Sequence, residues 1–180
     1  MKKNIILASL LAFSMVLFSG CSMKNDFHVT LPNDYKVKEL DYALSQVNVQ
    51  LANEQKKTGD LDVFDTEFAD KYEKSLIEVL RTTKIFNNKS DNKINIKVLV
   101  LKNDAPSFGF DMTIYTEVEY TIKNNLGKTL YSKIISADGT ATAGEKFAGV
   151  ERMMLANDRA IRNNIKLFLD DIQTTTIKGK

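Results

Sequence analysis

The stretch FGFDMTIYTEVEYTIK, residues 108–123, decides the fold. In an extended chain Phe108, Phe110, Met112, Ile114, Thr116, Val118, Tyr120 and Ile122 point one way. Gly109, Asp111, Thr113, Glu117, Glu119 and Thr121 point the other way, because side chains alternate along a strand. One face is apolar and one is wet, which predicts an antiparallel sheet covered on a single side. Asn124, Asn125 and Gly127 then make a hairpin turn into a strand over Thr129–Ala137.

Working outward, Ile94, Ile96, Val98 and Val100 alternate within a strand Lys93–Lys102, which the Pro106-containing loop ends. Val47, Val49 and Leu51 mark another strand, Gln46–Ala52. Between the two, Phe68, Tyr72, Leu76, Val79 and Thr83 recur at steps of three and four, predicting a helix over Asp65–Lys84. Asp65 is placed to cap it, and Glu67 complements its dipole. Downstream, Gly139 and Gly144 bracket a loop. A long helix follows, striped by Val150, Met154, Ile161, Ile165, Phe168 and Ile172, with a kink or break at Asn157-Asp158. The order is β-α-β-β-β-α. An α+β fold results: an antiparallel sheet of about four strands with two helices packed on one face.

The N-terminus is of another kind. Lys2 and Lys3 precede an apolar run from Ile5 to Phe18, shorter than the roughly 20 residues that span a bilayer. Such a run matches the apolar core of a secretion signal. Ser19 and Gly20 lead into Cys21, the single cysteine of the chain. Leu17-Phe18-Ser19-Gly20-Cys21 resembles the lipobox of bacterial lipoproteins, with Phe18 where leucine is usual. That resemblance implies cleavage before Cys21 and its acylation, including palmitate. Ser22 follows the cysteine, and the enterobacterial sorting rule then points to the outer membrane, on its periplasmic face. The expected organisation is a signal peptide over 1–20, a lipidated N-terminus and polar tether over 21–45, and one domain over 46–175.

Composition bounds what that domain does. The chain holds 25 basic and 23 acidic side chains, and without Lys2 and Lys3 the balance is 23 to 23. Neutrality argues against the basic footprint of a nucleic-acid binder. A mature length of 160 residues suffices for one domain with a real core.

FADKYEKSLIEVLRTTKIF (68–86), the long hairpin, and ANDRAIRNNIKLFL (156–169) resemble YajG-like bacterial lipoproteins. More distantly they are similar to the PqiC-type auxiliary lipoproteins of ABC-type lipid transport systems. The resemblance spans about Val47 to Ile172 and implies an α/β sandwich at the outer membrane, with no catalytic residues to carry over. The tryptophan common in the first helical region of the PqiC type is absent here.

The residue inventory names no reaction. His28, the one histidine, stands in the tether, and a Ser-His-Asp or Cys-His arrangement would need it. Zinc needs several His or Cys ligands. Asp60, Asp62 and Asp65 lack the turn glycine and closing glutamate of a calcium loop. No catalytic residue, metal or cofactor is therefore expected. The expected partners are the membrane, through the anchor, and a protein of the envelope. The alternative is an accessory role in lipid transport, with lipid as the ligand.

One surface is nominated. Residues 108–123 extend about 53 Å at ~3.3 Å per residue, whereas a helix over Asp65–Lys84 covers about 30 Å at 1.5 Å per residue. Either the strand bends under the second helix, or Phe108, Phe110 and Met112 overhang the core as a partner-binding surface.

Overall fold

The computed structural model describes residues 29–32, 34–61, 65–106 and 109–175. The signal segment, Cys21, Ser22, His28, Asp62 and Phe108 lie outside the described residues. Six elements follow one another: β1 (Ala43–Leu51), α1 (Asp65–Thr83), β2 (Lys93–Asp104), β3 (Met112–Asn124), β4 (Thr129–Ala141) and α2 (Gly149–Thr174). This is the expected β-α-β-β-β-α order.

The strands lie side by side in chain order, β1-β2-β3-β4. β2, β3 and β4 form an antiparallel meander, but β1 runs parallel to β2, with Val47 beside Ile96 and Val49 beside Val98. The sheet is mixed, and the expectation of an all-antiparallel sheet is corrected here. The reason lies in the connection. A tight turn reverses the chain into an antiparallel neighbour, whereas α1 carries it back along the sheet so that β2 starts at the same end as β1. Alternation of side chains reports which face is buried and carries no information on a neighbour's direction.

The alternating face is the core face. Met112, Ile114, Thr116, Val118, Tyr120 and Ile122 are buried on β3, and Ile94, Ile96, Val98 and Val100 on β2. A bulge between Val100 and Lys102 adds one residue opposite β3. The hairpin after β3 is closed by Asn124, whose side-chain oxygen accepts the N–H groups of Leu126 and Lys128. Gly127 there has φ +79°, a conformation open to glycine.

Both helices pack on that face. α1 buries Phe68, Tyr72, Leu76 and Val79, as its stripe requires, and Lys84 ends it in the left-handed region at φ 53°. α2 runs unbroken through Asn157 and Asp158, and Asp158 pairs with Lys71 of α1. A neighbouring helix supplies the cation there. The buried side of α2 is Ala156, Ala160, Ile161, Asn164, Ile165, Phe168, Leu169 and Ile172. Val150 and Met154, expected on the buried stripe, are exposed.

β4 continues to Ala141, past the expected end at Ala137, and takes in Gly139. A Cβ on Gly139 would stand 2.2 Å from the carbonyl oxygen of Ala156 and 2.2 Å from the amide nitrogen of Ala160. The glycine lets the backbone of α2 lie on the strand, over the small residues Ala156 and Ala160. Side chains of the helix also bond the backbone of β4: Asn163 Nδ2 donates to Asp138 O (2.7 Å) and Asn164 Nδ2 to Ile135 O (2.9 Å).

The packed body begins well before residue 46. Val29 is buried in the main core, and Leu31, Tyr35, Val37, Leu40 and Tyr42 pack against it. Tyr35 donates to Asp170 at 2.8 Å, the Lys38 N–H donates to the Gln173 side chain at 2.7 Å, and Leu40 bridges to Phe86. Residues 29–32 and 34–42 form a strap, tied to the end of α2. The polarity that suggested a tether belongs to alternate residues whose neighbours are apolar.

Candidate interaction surface

At the centre of the interior, a cluster of polar side chains bonds within itself and to the β4 backbone. Tyr72 of α1 and Tyr120 of β3 meet hydroxyl to hydroxyl, and both approach Asn164 Oδ1 of α2, at 2.8 and 3.0 Å. Two phenolic protons serve three contacts, so two of the three are hydrogen bonds at any moment. Asn164 Nδ2 donates to Ile135 O and, at 3.4 Å, to Thr116 Oγ1. Thr116 in turn donates to Ala137 O at 3.2 Å. The Ile135 carbonyl fixes the amide orientation, since it offers only an acceptor. Burial pushes both phenols well above the ordinary phenol range, so they remain neutral donors. Phe168 stacks on Tyr120 with ring centroids 4.0 Å apart. This cluster ties α1, β3, β4 and α2 together and is closed to solvent.

The uncovered sheet face is polar. Cross-strand register sets Gln46, Asn95 and Lys123 in one row and Asn48, Lys97 and Thr121 in the next. These rows floor a shallow hollow of about 400 Å³, with a smaller one of about 170 Å³ beside it towards Lys56 and Glu119. The space between sheet and helices is occupied instead by the side chains just described.

Apolar surface concentrates at the opposite end of the sheet from the β3–β4 hairpin. Two loops meet there, 109–111 before β3 and 142–148 before α2. Arg152, in the first turns of α2, joins them: its Nη1 donates to Lys146 O (3.0 Å) and Phe147 O (2.6 Å), and its Nη2 to Gly109 O (3.3 Å). Asp111 accepts the Ala143 N–H at 3.3 Å. A second clamp lies behind. Glu145 takes both guanidinium nitrogens of Arg159, at 2.5 and 2.9 Å, and accepts the Thr142 N–H at 3.0 Å. The Arg159 hydrogen bonds, with that N–H, hold the Glu145 carboxyl down at about 2.

On this framework stand Phe147, 98% exposed, Phe110, 87% exposed, and Val150, 66% exposed. Of the three residues nominated from sequence, Phe110 is thus on the surface and Phe108 lies outside the described residues. Met112 is 5% exposed and packs with Ile114, Ala141, Ala156 and Ala160, so its side chain is core and unavailable to a partner. The strand starts at Met112, and Asp111 just before it bonds the other loop, so Phe110 does not continue the strand's register. Phe147 and Val150 were not nominated. A lone aromatic between Lys146 and Ala148 in a glycine-flanked loop, with no periodic partner, was the available signal.

Among the described residues, no group of three His, Cys, Asp or Glu side chains is placed to hold a metal ion. No helix among them is long and apolar enough to cross a membrane. No protein-family model matches the chain, and no curated protein matches it in sequence. Solved structures of similar chain path include a protein of Xanthomonas campestris from family DUF330, at 10% identity and TM-score 0.49. The match covers 81% of this chain and 89% of that one. A minor lipoprotein of Acinetobacter baumannii is 12% identical at TM-score 0.45, covering 76% and 93%. A candidate lipoprotein of Caulobacter crescentus is 9% identical at TM-score 0.45, covering 66% and 87%.

Proposed function

We propose that this protein is a lipid-anchored module of the bacterial envelope that works by binding and catalyses no reaction. Acylated Cys21 supplies the anchor, and Ser22 directs the mature chain to the outer membrane. The observation that carries the binding reading is the pair of loops held by Arg152, which present Phe110 and Phe147 to solvent instead of folding them inward. Exposed apolar side chains gathered on one part of a surface are a mark of a site used for contact. The filled space between sheet and helices favours contact at this surface over carriage of a lipid inside the fold.

Metabolic labelling with a palmitate analogue tests the anchor. The unaltered chain should incorporate label and fractionate with outer membrane, and Cys21→Ser should do neither. Equal labelling of the two would end the lipoprotein reading, and recovery of the unaltered chain with inner membrane would end the outer-membrane assignment.

A further inference from the structure

We infer that the end carrying Phe110, Phe147 and Val150 docks into the surface of a phospholipid bilayer, its aromatic tips entering the boundary between headgroups and acyl chains. This rests on the lipid-anchor reading for the reason that the surface meets a membrane at all, and it names the partner of that surface. Seven residues separate Cys21 from Val29, whose side chain is already in the core. Eight chain steps span at most about 29 Å, so an acylated Cys21 keeps Val29 within that distance of the bilayer. The membrane is then the surface always in reach, at a high effective concentration set by the short connection.

The shape and charge of the tip fit that occupant. Phe147 and Phe110 stand almost free of their own chain, as convex points on two loops. A protein partner would have to supply a fitted cavity for each, whereas the interfacial region of a bilayer accommodates aromatic rings wherever they enter. The carboxylates nearest the tip are engaged: Asp111 with the Ala143 N–H, and Glu145 with Arg159 and Thr142. Exposed Lys146 and exposed Glu151 offset each other. Insertion should therefore depend on apolar contact and hardly at all on anionic lipid. Arg152 and the Glu145–Arg159 pair hold the loops in place beforehand, so little ordering is left to occur on docking.

The absence of tryptophan from the chain allows a clean test. Residues 21–180 with Cys21→Ser retain every described residue and carry no acyl chain, so the outcome is independent of whether Cys21 is acylated in cells. Phe147→Trp in this background is mixed with phosphatidylethanolamine/phosphatidylcholine vesicles, with and without phosphatidylglycerol. Its emission should shift to the blue and be quenched by brominated acyl chains, with affinities on the two vesicle types within about twofold. Phe110→Ser with Phe147→Ser should lower vesicle co-sedimentation at least tenfold while circular dichroism stays unchanged. Leu126→Trp, on the opposite hairpin and 86% exposed, should show no shift. Absence of a shift at Phe147→Trp, a shift at Leu126→Trp instead, or a lipid-free blue shift that grows with protein concentration would each overturn the proposal. The last of these would assign the tip to a second copy of the chain.

Discussion

Asn164 shows how much one side chain can organise. Its amide accepts from two tyrosines of different elements and donates to a strand carbonyl and a threonine, all without access to water. Asn164→Ala leaves one of the two phenolic protons without an acceptor and takes the side-chain donor from the Ile135 carbonyl, which costs about 2–4 kcal/mol in a domain whose total stability is of order ten. Tyr72→Phe removes a single hydroxyl and leaves Tyr120 bonded to Asn164, so about 1 kcal/mol is expected. Urea denaturation of the two variants measures the difference. An Asn164→Ala cost no larger than that of Tyr72→Phe would show the network to be dispensable. None of this was legible beforehand. Asn164 occupies a position one residue from an apolar stripe, and only the packed neighbours reveal that the polar residue there is enclosed. Tyr120, by contrast, was readable as core from its place in an alternating strand, though its hydroxyl's destination was not.

At the scale of elements, periodicity told which residues face inward and connection chemistry told how elements join, and the two were not equally readable. The strands and helices stand near their expected places because two-residue and 3.6-residue repeats are written in the chain. The parallel pairing of β1 with β2 follows from a helix between them, a fact present in the element order but not in any alternation. Gly139 is the sharper case. Glycine ends strands and also admits close backbone approach, and the sequence does not say which. Here the second holds, so Gly139→Ala drives a methyl against the backbone of α2 and should cost about 1–3 kcal/mol, or several degrees of melting temperature. Gly144→Ala is the control: the nearest atom to its added carbon would be Thr142 Oγ1 at 3.9 Å, so stability should hold or rise slightly. Equal melting temperatures for the two variants would mean that α2 is free to lift away from β4. The same limit governed the candidate surface. Phe108, Phe110 and Met112 share a parity, yet the chain leaves the strand between Phe110 and Met112, and the surface passes to Phe147 on a loop distant in sequence and Val150 in the first turn of α2.

For the molecule as a whole, the least expected feature is the strap, since residues 21–45 read as a polar tether and Val29, Leu31, Tyr35, Val37, Leu40 and Tyr42 all join the core. Its attachments to the rest follow one another along the chain: Val29 and Leu31 on the core, Tyr35 on Asp170, Val37 on the core, Lys38 on Gln173, Leu40 beside Phe86. Their arrangement gives the fold a mechanical character. A load applied through the N-terminus meets these attachments one after another, as in peeling, whereas the paired strands share a load among many bonds at once. Single-molecule pulling between the N-terminus and α2 should therefore show a small early extension of about 50 Å, fourteen residues at ~3.6 Å each, before the sheet gives way. A single cooperative rupture with no early step would refute it. Tension applied through the N-terminus is then absorbed first by the strap, which acts as a fuse and spares the strands behind it.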